Sequence, residues 1–423
     1  LQDIFKTPVF RLVTIAVFWI SAFTLVFNFF NQTYLFPDSI SYLISAKQLY
    51  LENRVNAQRP FLFSLINGFP LLFSNLESNV YKFNLVLNIL CWFGSIVLIY
   101  KILYKIVSPK VAFYISLVYI FSIGSLAICF FFLTETIFSF LLVLMFYYLQ
   151  KFNLNKQTKY LIFAFYVLLM SLLVKPILQY FVILFLAFYG KNLLRMVKSK
   201  GIIILIIPIF FIFFQMFSMQ KTYGRFTLTY IDTITYYNYL GNKAENLKLN
   251  KPHDFKNSKR ENYFDKLNYE EQKVAMSEDI KNQLNDNKLN LVKAYFINTY
   301  INSTKGSASV HACKNLKNTK YFDFFLFLFK GISKIQNILF TILGLVLSVY
   351  SMLSWKQSSN FIKIYSFTFL YIFAISGISS DQGDRLHLIF YPIVLFLIAN
   401  YYTKIKSFFV RLQKLLHLRI LMF

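Results

Sequence analysis

The sequence predicts an all-α polytopic membrane protein with about ten transmembrane helices. Three observations carry that prediction. The chain has 423 residues, 57% apolar and 20% aromatic, with 52 Phe and 30 Tyr, more aromatic surface than a soluble domain of this size buries. Charged residues make up only 15%, against roughly 25% in soluble domains. The apolar residues fall in long runs with basic clusters between them, the pattern of positive-inside topology. The same composition excludes a disordered chain, a collagen repeat and a disulfide-rich secreted scaffold.

A spanning helix needs about 20 mostly apolar residues, with a lower limit near 17. Residues 12–30 satisfy this without a charge. No small-x-small cleavage site follows, so the run reads as a retained first span. The next spans are expected at 83–100, 111–133, 136–150, 202–219, 335–355, 364–380 and 386–403. The stretch 160–190 is interrupted by Lys175-Pro176. As one helix it would be about 46 Å long, well over the roughly 30 Å hydrocarbon core. Charge decides the count. The clusters Lys6/Arg11, Lys101/Lys105/Lys110, Lys151/Lys156/Lys159, Lys191/Arg195/Lys198/Lys200, Lys356/Lys363 and the tail after Thr403 share one side only if 160–190 crosses twice. That gives ten spans with both termini cytoplasmic.

Two large segments then face outward. The first, 31–79, should hold an interfacial helix from about Ser39 to Leu51, followed by the short apolar run 61–73. The second, 220–333, lies between spans seven and eight. It shows no sustained apolar period, so a small, mostly helical outer domain without a core of its own is expected. The resulting division is a membrane module 1–219, the outer domain 220–333, a three-span module 334–403 and a basic cytoplasmic tail 404–423.

The net charge of +26 invites a nucleic-acid reading, but the basic residues lie between apolar runs and gather on no soluble module. No nucleic-acid partner is expected. The three Cys (Cys91, Cys129, Cys313) and four His (His253, His311, His387, His417) show no metal-ligand spacing.

Outside the basic clusters and the long outer segment few charges remain, and ionisable groups near membrane depth are functional candidates by default. Asp38, in FPDSISYLISAKQLY, reads either as a helix N-cap or as a general base at the mouth of a lipid-facing cavity. Glu135, in FFFLTETIF, reads either as a first-turn complement to the helix dipole or as a functional acid. Lys175 and Arg385 should each start an inward-running helix, where the dipole disfavours a cation. Snorkelling would account for Lys175, and an ion pair with Asp381 or Asp384 for Arg385. An anion bound at those helix starts would relieve both conflicts, and a phosphate at the interface is the natural candidate.

PDSISYLISAKQLY followed by Arg59-Pro60, LTET between spans three and four, VKP, and GDRLHLIFYP before the last span resemble the GT-C superfamily of polyprenyl-phosphate-dependent glycosyltransferases. The nearest group is the protein-mannosyltransferase and aminoarabinose-transferase type. The layout agrees: a long first outer loop with interfacial helices, seven leading spans, then a large outer segment. The resemblance implies Asp38 as the first-loop catalytic acid and Glu135 as the acidic position opening span four. It implies Arg59, Lys175 and Arg385 as lipid-phosphate contacts, and Tyr42, Asp384 and His387 around the acceptor or donor sugar. Several relatives carry two adjacent acids in the first loop, whereas Ser39 follows Asp38 here. A divalent cation (Mg or Mn) on Asp38 and Glu135 therefore stays open.

The expected activity is transfer of a sugar from a polyprenyl-phosphate donor to a lipid, glycan or protein acceptor. It would take place on the outer face of a bacterial inner membrane, with inversion at the anomeric carbon. A secondary transporter or lipid-linked-sugar flippase is the alternative from another class, but no paired repeat of spans is visible and the charges cluster at span ends. An envelope-polysaccharide polymerase or ligase would not need the Asp-bearing interfacial helix.

Overall fold

The computed structural model describes residues 7–29, 35–197, 199–252, 259–316, 318–379 and 382–402. The basic tail 404–423, Asp381, His253, Lys6 and Lys198 lie outside the described residues. Among the described residues the chain is helical, with no β-strand.

The first helix, α1 (Pro8–Phe27), starts where the Thr7 hydroxyl accepts from Phe10 N at 3.3 Å and Pro8 takes the first helical position. It ends at Asn28, whose left-handed backbone caps it. Then come α2 (Pro37–Leu51), the expected interfacial helix, and α3 (Phe61–Asn67), the first part of the short apolar run. Next are α4 (Glu77–Leu103), α5 (Pro109–Ile120), α6 (Ile123–Ala127) and α7 (Glu135–Asn155). The Lys175-Pro176 interruption divides 160–190 as expected. The structure has α8 (Thr158–Leu172), a 3-10 turn Pro176–Leu178, and α9 (Phe181–Met196). Proline cannot donate to the ladder, and the residue before it is driven to extended backbone. Lys175 accordingly sits at φ −152°, ψ 108°. The apolar helix α10 (Ile206–Tyr223) follows.

Among the described residues five helices are long and apolar enough to cross a membrane, and six if a bent pair counts as one span. The five are Pro8–Phe27, Glu77–Leu103, Glu135–Asn155, Lys200–Tyr223 and Phe322–Leu353. The expected continuous span 111–133 is instead a broken one, Pro109–Ile120 and Ile123–Phe130 at 59°. The break has a polar cause: Gln336 accepts from Ile123 N through Oε1 and donates to Phe121 O through Nε2, serving backbone groups that a continuous helix would pair internally. Three shorter apolar helices, Thr158–Leu172, Asn360–Ser376 and Leu388–Tyr402, occupy positions where further spans are expected.

Segment 220–333 is helical among its described residues, as expected. It contains α11 (Ile231–Ile234), a π-helix Thr235–Gly241, α12 (Asn242–Lys248), α13 (Lys259–Phe264), α14 (Tyr269–Asp286), α15 (Lys288–Thr304) and α16 (Ala308–His311). The expectation that it lacks a core is corrected. Tyr236, Leu240 and Ala244 recur every four residues and bury with Tyr237, Phe264 and Ala294 in a cluster of their own. That repeat runs from the π-helix into α12, so no single regular helix displays it. The 32-residue α17 (Phe322–Leu353) begins well ahead of the expected boundary at 334. Then α18 (Asn360–Ser376) and α19 (Leu388–Tyr402) complete the chain.

Residues 220–333 are fastened to the first loop by bonds to its backbone carbonyls. Tyr230 N donates to Ala57 O at 2.8 Å, and the Thr229 hydroxyl donates to Gln58 O at 3.0 Å. The first loop is held in turn to the α8–α9 break, where Leu62 N donates to Leu173 O at 3.0 Å. These ties bring the ends of α2, α7 and α8 and the turn before α19 to one place.

Candidate functional site

Five charged side chains meet there. Asp38 lies in the first turn of α2. Pro37, with its fixed φ, takes the first helical position, and the Ser39 hydroxyl accepts from Phe36 N at 3.1 Å. The N-cap reading of Asp38 is therefore corrected, since the proline displaces it into the turn and its carboxylate turns to two arginines instead. Arg59 Nη2 donates to Asp38 Oδ1 at 2.5 Å, and Arg385 Nη1 donates to Asp38 Oδ2 at 2.5 Å. Arg59 also donates to the Ser41 hydroxyl at 2.8 Å and lies 4.4 Å over the Tyr42 ring.

Glu135 opens α7 and is 1% exposed. Its Oε1 accepts from Lys175 Nζ at 2.8 Å and from Arg385 Nε at 2.6 Å. The segment before it is placed by an asparagine ladder on α4. Asn84 donates to Asn67 at 2.9 Å, and Asn88 donates to Asn84 and to the carbonyls of Cys129 and Phe131. Buried amides need such partners, and here they hold the irregular chain that delivers Thr134 and Glu135. Tyr42 joins this wall through a 3.3 Å bond between its hydroxyl and that of Thr134.

Arg385 is 8% exposed and does not pair with Asp384, its neighbour on the same turn. Asp381 lies outside the described residues, and Asp384 points away. Asp384 Oδ1 accepts from Ala308 N at 3.3 Å, while Oδ2 is packed against Gly124, where a Cβ would fall 2.0 Å from it. Arg385 instead makes a buried bridge to Asp38 and Glu135. Lys175 likewise does not snorkel; its ammonium turns inward to Glu135. The dipole conflict expected at both cations is relieved by internal carboxylates.

The turn that carries Arg385 is positioned from behind. Gly383 has φ +56°, and a Cβ there would meet the Gly306 carbonyl at 2.6 Å. Gln382 N donates to Asn302 Oδ1 at 3.1 Å, and Asn302 Nδ2 donates to the carbonyls of Ser376 and Ser379. Asn337 Nδ2 donates to the carbonyls of Asn302 and Lys305, both at 2.7 Å. His387 belongs to this scaffold, bonding Asn337 through Nδ1 at 3.0 Å and Ser376 through Nε2 at 3.3 Å.

In front of the cluster is a cavity of about 830 Å³. Asp38, Tyr42, Arg59, Glu135, Lys175 and Arg385 line it, so six of the eight residues picked from the sequence share one wall. Asp384 and His387 are not among its lining residues; both face the scaffold, because each is buried against buried backbone and amide partners. Other walls are apolar, from Val174, Pro176, Ile177, Ile375 and Ile378, and aromatic, from Tyr180, Tyr236, Tyr239 and Tyr371. Sequence reasoning missed Gln58, Tyr239 and Gln382. The one available signal for Tyr239 was the tyrosine run TYYNYLG, which folds as a π-helix, an element frequent at functional sites.

The electrostatics follow from the pairing. Burial alone would raise the Asp38 carboxyl, but the charges of Arg385 and Arg59 outweigh it and hold the group well below the usual carboxylate range. Burial disfavours the Arg385 cation, yet Glu135 and Asp38 drive it the other way and fix its charge. Asp384, buried without a cation, is pushed up to about 7 by burial. Among the described residues of the cluster, three cations face two carboxylates. Both carboxylates are engaged by arginine and lysine, and no group of three or more His, Cys, Asp or Glu converges among the described residues.

No protein-family model, no characterised protein and no solved structure matches this chain.

Proposed function

We propose that the protein is a multi-pass glycosyltransferase of GT-C type, using a polyprenyl-phosphate sugar on the outer face of a bacterial inner membrane. In this reading the chain crosses ten times, with the three short apolar helices and α9 completing the count. One observation carries it: a cationic cluster built around Arg385 lies at one end of an 830 Å³ cavity with apolar and tyrosine walls. That combination suits an amphiphile with an anionic head, and the volume falls in the range of ligand pockets.

The chemistry balances without a further reagent. An acceptor hydroxyl oxygen attacks the anomeric carbon and forms the new glycosidic bond. The bond from that carbon to the phosphate oxygen breaks, and its electron pair stays on the departing lipid phosphate. The hydroxyl proton passes to the Asp38 carboxylate. Arg385 and Arg59 stabilise the charge that develops on the phosphate. A single displacement inverts the anomeric centre.

Purified protein incubated with radiolabelled polyprenyl-phosphate sugars and a membrane extract as acceptor tests this. Acceptor-dependent consumption of label with release of lipid phosphate is the expected result. Movement of intact lipid-linked sugar across proteoliposomes, with no release of lipid phosphate, would replace transfer by transport.

A further inference from the structure

The lipid-phosphate reading leaves a question that the geometry answers: the cations assigned to the phosphate already have partners. Arginine offers two forks for bidentate recognition of an oxyanion, Nε with one terminal nitrogen and the two terminal nitrogens together. In Arg385, Nε is given to Glu135 and Nη1 to Asp38. One donor of each fork is taken, so neither fork is complete for a phosphate. Arg59 is held in the same way, by Asp38 and Ser41.

We propose that Asp38 and Glu135 are resident counter-anions in the phosphate site. An incoming lipid phosphodiester binds by exchanging with them at Arg385 and Arg59, and the exchange frees Asp38 to act on the acceptor. The proposal rests on the lipid-phosphate reading above and adds the order of events within it.

The two carboxylates are not equivalent in the exchange. Glu135 is 1% exposed and keeps Lys175 at 2.8 Å when Arg385 leaves, so its charge stays compensated in a buried place. The Asp38 side chain is 33% exposed, and with both arginines turned to phosphate it has no other cation at hydrogen-bond distance among the described residues. The charged and titratable groups around Asp38 are Arg59 from the α2–α3 connection, Arg385 from the turn before α19, and Tyr42 on its own helix. Glu135 and Lys175 lie across Arg385, and Tyr239 approaches from the π-helix. While both arginines hold Asp38, it is a poor proton acceptor. Once they are withdrawn, it regains the basicity that proton transfer from a hydroxyl needs. Activation of the base is thereby tied to occupancy of the donor site, which protects the cluster from acting on water when no donor is bound.

Removing either carboxylate takes away a competitor for the arginines. The full-length protein in nanodiscs would be titrated with methyl farnesyl phosphate, a phosphodiester with one fixed negative charge and no sugar. Asp38→Asn and Glu135→Gln are expected to bind this probe about tenfold more tightly than wild type, the equivalent of about 1.4 kcal/mol, and Arg385→Ala about tenfold more weakly. Where one carboxylate variant is not monodisperse, the other decides. Unchanged or weaker binding in the carboxylate variants, with Arg385→Ala still weakened, would overturn the exchange while the lipid-phosphate reading survives. Tighter binding in the carboxylate variants without sugar transfer from any polyprenyl-phosphate donor would keep the exchange and remove the glycosyltransferase reading. No binding to wild type or to any variant would overturn both.

Discussion

Arg385 Nε donates to Glu135 Oε1 across 2.6 Å, joining residues 250 positions apart in the chain. Through its other end the same guanidinium reaches Asp38 at 2.5 Å. One side chain thus ties the turn before α19 to the starts of α2 and α7. Its removal affects both the charge balance of the cavity and the seating of three elements.

Arg385→Lys tests whether bridging matters beyond charge. A lysine ammonium is a point charge on a flexible stem and cannot present two rigid donors in different directions. Donor binding in this variant should fall about as far as in Arg385→Ala, because bidentate recognition is lost in both. Wild-type affinity in the lysine variant would mean that the site needs only a positive charge.

Asp38→Asn separates the counter-ion role from the catalytic one. Turnover should fall at least about 10²-fold, in line with the usual contribution of a positioned base, even though the lipid phosphate binds more tightly. A purified variant that turns over like wild type would leave Asp38 as a counter-ion only.

Glu135→Ala leaves the Lys175 ammonium buried and the Arg385 guanidinium half-paired. Loss of one partner from a buried ion pair costs about 3–5 kcal/mol, so this variant should show a large fall in thermal stability. Lys175→Ala should cost less, because Arg385 still compensates Glu135. Thermal unfolding in detergent ranks the two, and equal losses would count against Arg385 as the stronger partner.

Asp384 gives a pH dependence of definite sign. Its folded-state pKa, raised to about 7 by burial, exceeds an unfolded value of about 3.9. Between these values the unfolded chain has released the proton and the folded one has kept it, so stability falls as pH rises from about 4 to 7 and is level above that. Asp384→Asn removes this slope and should gain on wild type progressively over that window. Parallel melting curves for the two proteins between pH 5 and 8 would show that Asp384 ionises normally.

Gly124→Ala probes the packing behind Arg385. The new Cβ would lie 2.0 Å from Asp384 Oδ2 and 2.6 Å from the Leu388 side chain. Overpacking of this kind typically costs about 1–3 kcal/mol, and displacement of the 383–385 turn should weaken lipid-phosphate binding as well. A variant with wild-type stability and affinity would show that the turn yields freely.

The ten crossings proposed above would place residues 220–333 and the cluster on the same side. Reporter tags after Lys156 and Lys356 should report cytoplasm, and one near Asn285 the exterior. A cytoplasmic signal at Asn285 would put the cavity on the wrong face for a polyprenyl-phosphate sugar.

The sequence by itself determined what local chemistry controls. Long apolar runs fixed an all-helical fold with membrane-length helices, since backbone polar groups in such runs pair only within a helix. Lys175-Pro176 marked a helix break, because proline acts on its immediate neighbours. The sparse charges Asp38, Arg59, Glu135, Lys175 and Arg385 stood out for their cost of burial. Only the tertiary structure decided which charge meets which. Arg385 has Asp384 beside it in sequence, yet pairs with Asp38 and Glu135 from distant helices, since Asp384 is turned toward Gly124 and Ala308 by the turn that Gly383 makes. His387 looked like a site residue and is scaffold, because Asn337 and Ser376 reach its ring from α17 and α18. The bend between α5 and α6 depends on Gln336, more than 200 residues away. Helix periodicity is written in neighbours three and four apart. The partners of a buried charge come from packing between helices, which no local pattern records.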